Sequence, residues 1–157
     1  MAVIELMQHF VVEVADTELS IAWYRDVLRF KLTEQHHANE VSGIPVELAF
    51  LRLGAVNHEL VILHNPCKSY TPKVSLPEQD LDGPPMFHHL AFECDSRSDW
   101  LELEAQLRAR GDVQFVRGPV LHSWVEPRGD GSWGENEAFY ILDPDGHRIE
   151  IFCNLAT

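Results

Sequence analysis

AFYILDPDGHRIEIFCN, residues 138–154, sets two apolar-rich runs on either side of an Asp-Pro-Asp-Gly turn and places one carboxylate, Glu150, inside the second run. Such runs around a three-residue loop predict an antiparallel hairpin. A type I turn through Asp143, Pro144 and Asp145, with Gly146 in the left-handed position, pairs Asp143 with His147. Counting back from that pair sets Tyr140 opposite Glu150, and cross-strand partners share a face. A strand with one buried side alternates apolar and polar residues, so Glu150 alone is explained equally well by solvent. What lies over that face depends on the rest of the chain.

The second run has an earlier counterpart. HELVILHN at 58–65 matches HRIEIFCN at 147–154, with His58 on His147, Val61 on Glu150 and Asn65 on Asn154, each pair 89 residues apart. Upstream, HFVVEVADTELSIAWY from His9 matches HLAFECDSRSDWLELEAQL from His89: a histidine, three apolar residues, a glutamate (Glu13, Glu93), then an Asp/Ser/Thr cluster opening a helical pattern. Leu19, Trp23, Val27 and Phe30 keep helical spacing after an Asp16/Thr17 cap. Ser96 and Asp99 form a capping-box pattern ahead of Trp100, Leu103 and Leu107, with Gly111 closing that helix. With FKLTEQ, VELAFLRL, VQFVRG and AFYIL as further strands, each half reads strand, helix, three strands. The chain is an α+β domain over 1–157, built as tandem βαβββ modules at about 4–66 and 86–154 with a connector at about 66–85. Two curved sheets packed through their open faces leave a cleft, into which His9, His89 and Glu150 project, with Val61 at the fourth, symmetry-related corner.

Composition narrows the partners. A net charge of −13 argues against nucleic acid and against anionic membrane surfaces, which both call for Lys/Arg patches. The three cysteines are far apart without a C-x-x-C spacing, so neither a disulfide framework nor a cysteine zinc site is expected, and reduced cytoplasm is the expected home. The opening MAVIELMQHFVVEVAD lacks the basic start of an export signal, and no apolar run reaches membrane-span length. Nine histidines are the unusual feature, and histidine is the commonest metal ligand. His36 and His37, in polar surroundings, are expected at the surface.

HFVVEVADTELSIAWYRDVLRF, FHHLAFECDS and FYILDPDGHRIEIF together resemble the vicinal oxygen chelate superfamily, which includes glyoxalase I, extradiol ring-cleaving dioxygenases, fosfomycin-resistance transferases and bleomycin-binding proteins. The last segment is most similar to type I extradiol dioxygenases. Arg29 stands where the family usually has glycine. The resemblance implies metal ligands on the first and last strand of each module, hence at His9, Val61, His89 and Glu150. Valine cannot bind a metal, which leaves two histidines and one carboxylate, the facial triad of non-haem Fe(II) oxygen chemistry. A catechol needs two positions on the ion and O2 a third, so three protein ligands suit that reaction. Strand alternation admits only one of His88 and His89 to the cleft, and matching His9/Glu13 to His89/Glu93 selects His89.

The resemblance further implies catalytic roles for His58, which handles a proton as O2 is activated, for His122 in GPVLHSW, and for Tyr140. His58 has the opposite parity from Val61, so it enters the cleft only at a strand start or bend. The stretch between His122 and Tyr140 is longer than the family pattern, which leaves the reach of His122 open. His147, Asp143, Pro144 and Gly146 serve the turn. The loops 66–85 and 123–136, with Trp124, Arg128 and Trp133, are candidate lids or substrate walls. The expectation is a homodimeric Fe(II) dioxygenase acting on a small catecholic substrate with O2. The alternatives on the same scaffold are a lyase, isomerase or thiol transferase using Mn(II) or another divalent metal, and a metal-free antibiotic-binding protein.

Overall fold

The computed structural model describes residues 8–71, 87–122 and 135–155. It divides into two units, Met1–Pro72 and Lys73–Thr157. The first holds β1 (Phe10–Glu13), α1 (Thr17–Leu28), β2 (Lys31–His36), β3 (Glu47–Arg52) and β4 (Leu60–His64). The second holds β5 (Leu90–Glu93), α2 (Arg97–Ala109), β6 (Gln114–His122), β7 (Asn136–Leu142) and β8 (Arg148–Asn154). Both are βαβββ modules, with sheet orders β1-β4-β3-β2 and β5-β8-β7-β6. In each, the first strand runs parallel to the last, and the remaining neighbours are antiparallel. A strand followed by a helix can rejoin its sheet in parallel only beyond the helix, which is why the first strand skips to the last.

The helices start where the sequence expects. Asp16 accepts from the Leu19 amide at 2.9 Å, and the Ser96 hydroxyl accepts from the Asp99 amide at 3.1 Å while donating to the Asp99 carboxylate at 2.6 Å. Their ends differ from expectation in two ways. Arg29 takes the left-handed cap of α1 at φ 63°, a conformation that costs a residue with a Cβ about 1 kcal/mol. In α2 the Arg110 amide donates back to Leu107 and the chain turns extended at Arg110, so the helix closes before Gly111, which has no positive φ. Leu19, expected on the buried stripe, is 57% exposed; Thr17, Ser20, Ile21, Trp23, Tyr24, Val27 and Leu28 form the buried side instead. Trp23, Val27 and Phe30 are buried as the spacing expects, and Leu19 alone of the four points to solvent.

Each helix covers one face of its own sheet. In the first unit Val12, Val14, Tyr24, Ala49, Leu51, Leu60 and Ile62 make the core. In the second, Trp100 packs on Phe139 with ring centroids 5.5 Å apart and donates its indole N–H to the Ile151 carbonyl at 2.9 Å. Phe139, Ile141, Ile149 and Ile151 fill that helix-facing side. Strand alternation then commits Tyr140, Arg148 and Glu150 to the opposite face.

Candidate functional site

The hairpin at the end of the second unit sets the geometry. The Asp143 amide donates to the His147 carbonyl at 3.1 Å, the Gly146 amide donates to the Asp143 carbonyl at 3.1 Å, and Gly146 has φ 87°, which a residue with a Cβ resists. Asp143 Oδ1 accepts from the amides of Asp145 and His147 at 3.0 and 2.8 Å, and Oδ2 lies 2.7 Å from His147 Nδ1. This turn fixes the register as Leu142 with Arg148 and Tyr140 with Glu150.

Both oxygens of Glu150 are engaged. The Tyr140 phenol donates to Oε1 at 2.8 Å, and His89 Nε2 lies 2.9 Å from Oε2. The Glu150 side chain is 12% exposed. Burial, the hydrogen bond to Glu150 and that carboxylate's charge push the Tyr140 phenol up to about 12, against the opposing pull of Arg117 and Arg148. The Nδ1 of His88 meets the Nδ1 of His89, across that ring from the nitrogen beside Glu150. His122, at the end of β6, pairs in register with Asn136 and has its Nδ1 2.9 Å from the Asn136 side-chain oxygen. The same nitrogen is 3.9 Å from Glu150 Oε1, and the His122 and Tyr140 rings are 6.4 Å apart. The pairing of β6 with β7 sets the position of His122. Trp124, Arg128 and Trp133 lie outside the described residues, as does the 72–86 part of the connector.

The first unit repeats this layout with different chemistry. Val61 is paired with Val11 and Phe50 as Glu150 is paired with Ala91 and Tyr140. Val61 and Phe50 thus occupy the positions of the carboxylate and the phenol. His9 lies just before β1, its ring 4.8 Å from that of His58, which in turn is 5.0 Å from Phe50. His58 precedes β4, so the parity of a regular strand does not bind it, and it reaches His9 and Phe50. His36, expected at the surface, is half-buried, with Nε2 2.7 Å from Glu34 and its ring 6.1 Å from Phe50; His37 is exposed.

Two donors at right angles on an ion, each about 2.1 Å from it, are about 3 Å apart. The 2.9 Å between His89 Nε2 and Glu150 Oε2 matches that separation, and imidazole with carboxylate is a suitable donor set for a divalent first-row metal. Among the described residues no group of three or more His, Cys, Asp and Glu side chains stands together as a metal site. What each unit offers by itself is the His89/Glu150 pair in the second and the His9/His58 ring pair in the first.

The sequence profile of the Glyoxalase/Bleomycin resistance protein/Dioxygenase superfamily matches residues 6–151. The chain belongs to this superfamily. Solved structures of similar fold include a glyoxylase/bleomycin resistance protein/dioxygenase domain from Frankia, at 17% identity and TM-score 0.63, covering 97% of this chain and 99% of that one. The trypanothione-dependent glyoxalase I of Leishmania major aligns at 22% identity and TM-score 0.61, over 95% and 86% of the two chains. A virulence protein from Salmonella typhimurium aligns at 25% identity and TM-score 0.56, over 98% and 100%. Among curated relatives, a metapyrocatechase from Pseudomonas is 25% identical over 138 residues, 88% of this chain, and the chain spans only 36% of that protein's length. Members of the vicinal oxygen chelate superfamily typically bind a divalent metal and small-molecule substrates. Among the described residues no helix is long and apolar enough to cross a membrane.

Proposed function

We propose that this protein is a non-haem Fe(II)-dependent extradiol dioxygenase that opens a catecholic ring with O2, with His9, His89 and Glu150 holding the metal and His58, His122 and Tyr140 acting on protons around the substrate. The observation that carries the reading is the treatment of Glu150: a largely buried carboxylate with His89 on one oxygen and Tyr140 on the other. The match to a metapyrocatechase along most of the chain supports the ring-cleaving branch, and Val61 at the fourth position supports a three-ligand site. When bound, the ion supplies open positions for two adjacent substrate oxygens and O2, and lowers the pKa of the substrate hydroxyls.

The side chains account for the rest. The Tyr140 phenol serves as a hydrogen-bond donor, to Glu150 at rest and to substrate oxygen during turnover. With Nδ1 of His122 anchored on Asn136, its Nε2 is the nitrogen left to take or give a proton. His58, held between His9 and Phe50, is the second proton-handling imidazole. Phe50 and Val61 make the positions matching Tyr140 and Glu150 apolar. In the overall reaction the ring bond beside the two hydroxyl-bearing carbons breaks and both atoms of O2 enter the product, a ring-opened semialdehyde or keto acid. The enzyme acts as a homodimer in this reading, closed symmetric dimers being the commonest assembly.

The test is anaerobic loading with Fe(II), followed by O2 uptake against a panel of substituted catechols. Uptake matched by a yellow ring-fission product is the expected result. Tight metal binding with no uptake across the panel overturns the reading in favour of a lyase or thiol transferase using Mn(II).

A further inference from the structure

One buried charge close to Glu150 is not used by this chemistry. Arg148 is 4% exposed, lies two residues before Glu150 on the same strand, and therefore shares its face. An arginine this buried is uncommon, because the guanidinium always carries its charge. Its register partner is Leu142, which makes Tyr140 its diagonal neighbour, a distance that only a long side chain spans. The guanidinium carbon lies 4.3 Å from the centroid of the Tyr140 ring. His89 stands perpendicular to the ring with centroids 5.8 Å apart, the Arg117 guanidinium carbon lies farther off at 5.9 Å from the ring centroid, and the phenol oxygen is tied to Glu150.

A phenol hinged on one hydrogen bond can still rotate about its long axis, since the second side-chain torsion of tyrosine is broad and nearly two-fold. A planar cation against one ring face removes that freedom, and stacking of this kind is strongest where water is excluded. We infer that Arg148 is a positioning residue for Tyr140: stacked on its ring face, it holds the plane of the phenol so that the hydroxyl faces Glu150 and the reacting oxygens. The inference rests on the dioxygenase reading for its effect on turnover, but the stacking itself does not depend on that reading. In this inference the influence of Arg148 passes through the Tyr140 ring, on which its guanidinium lies.

The chain has three tyrosines, so 19F NMR of protein labelled with 3-fluorotyrosine gives a resolvable set, with Tyr140 assigned by its loss in Tyr140→Phe. A fluorinated ring is asymmetric, and its two orientations are distinct. In Arg148→Met the Tyr140 resonance is expected to shift and average between orientations while those of Tyr24 and Tyr70 stay in place; Arg148→Lys, which keeps the charge but loses the planar guanidinium, is expected to free the ring in part. On Fe(II)-loaded protein, Arg148→Met lowers kcat by about tenfold with metal content and KM for the catechol unchanged, and adds nothing further in a Tyr140→Phe background. An unmoved Tyr140 resonance in Arg148→Met, or an equal loss of kcat with and without the Tyr140 hydroxyl, overturns the inference. If Arg148→Met fails to fold, a Tyr140 resonance in Arg148→Lys that neither shifts nor averages does so. Absence of turnover in the unmodified protein counts against the dioxygenase reading alone, and the NMR comparison still decides the role of Arg148.

Discussion

Asp143 performs two tasks with one carboxylate, and substitution separates them. Its side chain is fully buried; Oδ1 bridges the amides of Asp145 and His147, and Oδ2 pairs with the His147 ring. Asp143→Ala removes all three contacts and leaves two turn amides without their acceptor. A hydrogen bond to a charged group is worth about 1.5–3 kcal/mol, and a stranded donor costs about 1–3 kcal/mol. Water reaches part of this turn and the terms overlap, so the expected net loss is about 3 kcal/mol. Asp143→Asn keeps a carbonyl oxygen for both amides and offers its NH2 to neutral imidazole, so it should lose only about 1 kcal/mol.

The charge has its own signature. Burial pulls the His147 pKa down, but the hydrogen bond and charge of Asp143, with a smaller share from Asp145, outweigh it and the net shift is upward. A raised folded-state value means that this contribution is fully present below the unfolded value, about 6.5, and is lost as pH rises through the higher folded value. Urea unfolding at about pH 6 and about pH 9 should therefore show an extra pH-dependent loss in the unmodified protein that both variants lack. Equal pH dependence in Asp143→Asn and the unmodified chain would refute the ion pair. An Asp143→Ala variant no less stable than Asp143→Asn would refute the role of Oδ1 in the turn.

Further outcomes follow from other positions. Glu150→Ala is expected to lose both bound Fe(II) and turnover, whereas Tyr140→Phe keeps the metal and loses about tenfold in kcat, measured by metal analysis beside O2 uptake. Arg29→Gly relieves the left-handed cap of α1 at φ 63° and should raise stability by about 1 kcal/mol in urea unfolding; a loss of stability would show that the Arg29 side chain matters more than its backbone strain. Gly118→Ala combines φ 98° with a Cβ 2.7 Å from the Ala138 carbonyl oxygen and 2.8 Å from the Phe139 Cα, and should cost at least about 3 kcal/mol, read as a fall in the unfolding midpoint.

The repeat was legible because its landmarks are spaced by topology. His9 and His89 precede first strands, and Val61 and Glu150 occupy one register position on last strands, so matched landmarks in sequence correspond to matched places in the sheet. The pairing of Tyr140 with Glu150 was legible because the Asp-Pro-Asp-Gly turn has one common geometry and register follows from counting. Counting failed where it crossed an irregular segment. His122 looked remote from Tyr140 along the chain, yet across the sheet it is paired with Asn136 and lies beside Glu150. His58 looked misdirected by parity because the start of β4 is not visible in the sequence. Asn136 and Arg148 went unnoticed, although the parity argument applied to Glu150 already places Arg148 on its face. In α1 the spacing identified Trp23, Val27 and Phe30 correctly, but Leu19 satisfies helical spacing from Trp23 while pointing to solvent; Thr17, Ser20 and Ile21 mark the buried side of the first turn only once the sheet is known.

The parallel pairing of first and last strands imposes an order on biosynthesis. Each sheet waits for its last strand: β1 stays unpaired through α1, β2 and β3 until β4 arrives, and β5 through α2, β6 and β7 until β8 arrives. His89 and Glu150 are among the most sequence-distant partners in their unit, and contacts of long separation form late and slowly. Until then β5 has an unpaired edge on the growing chain, a template for wrong pairing. Translation pauses or chaperone depletion during residues 90–148 should thus generate aggregation-prone nascent chains, while stalling shortly after the first unit should not.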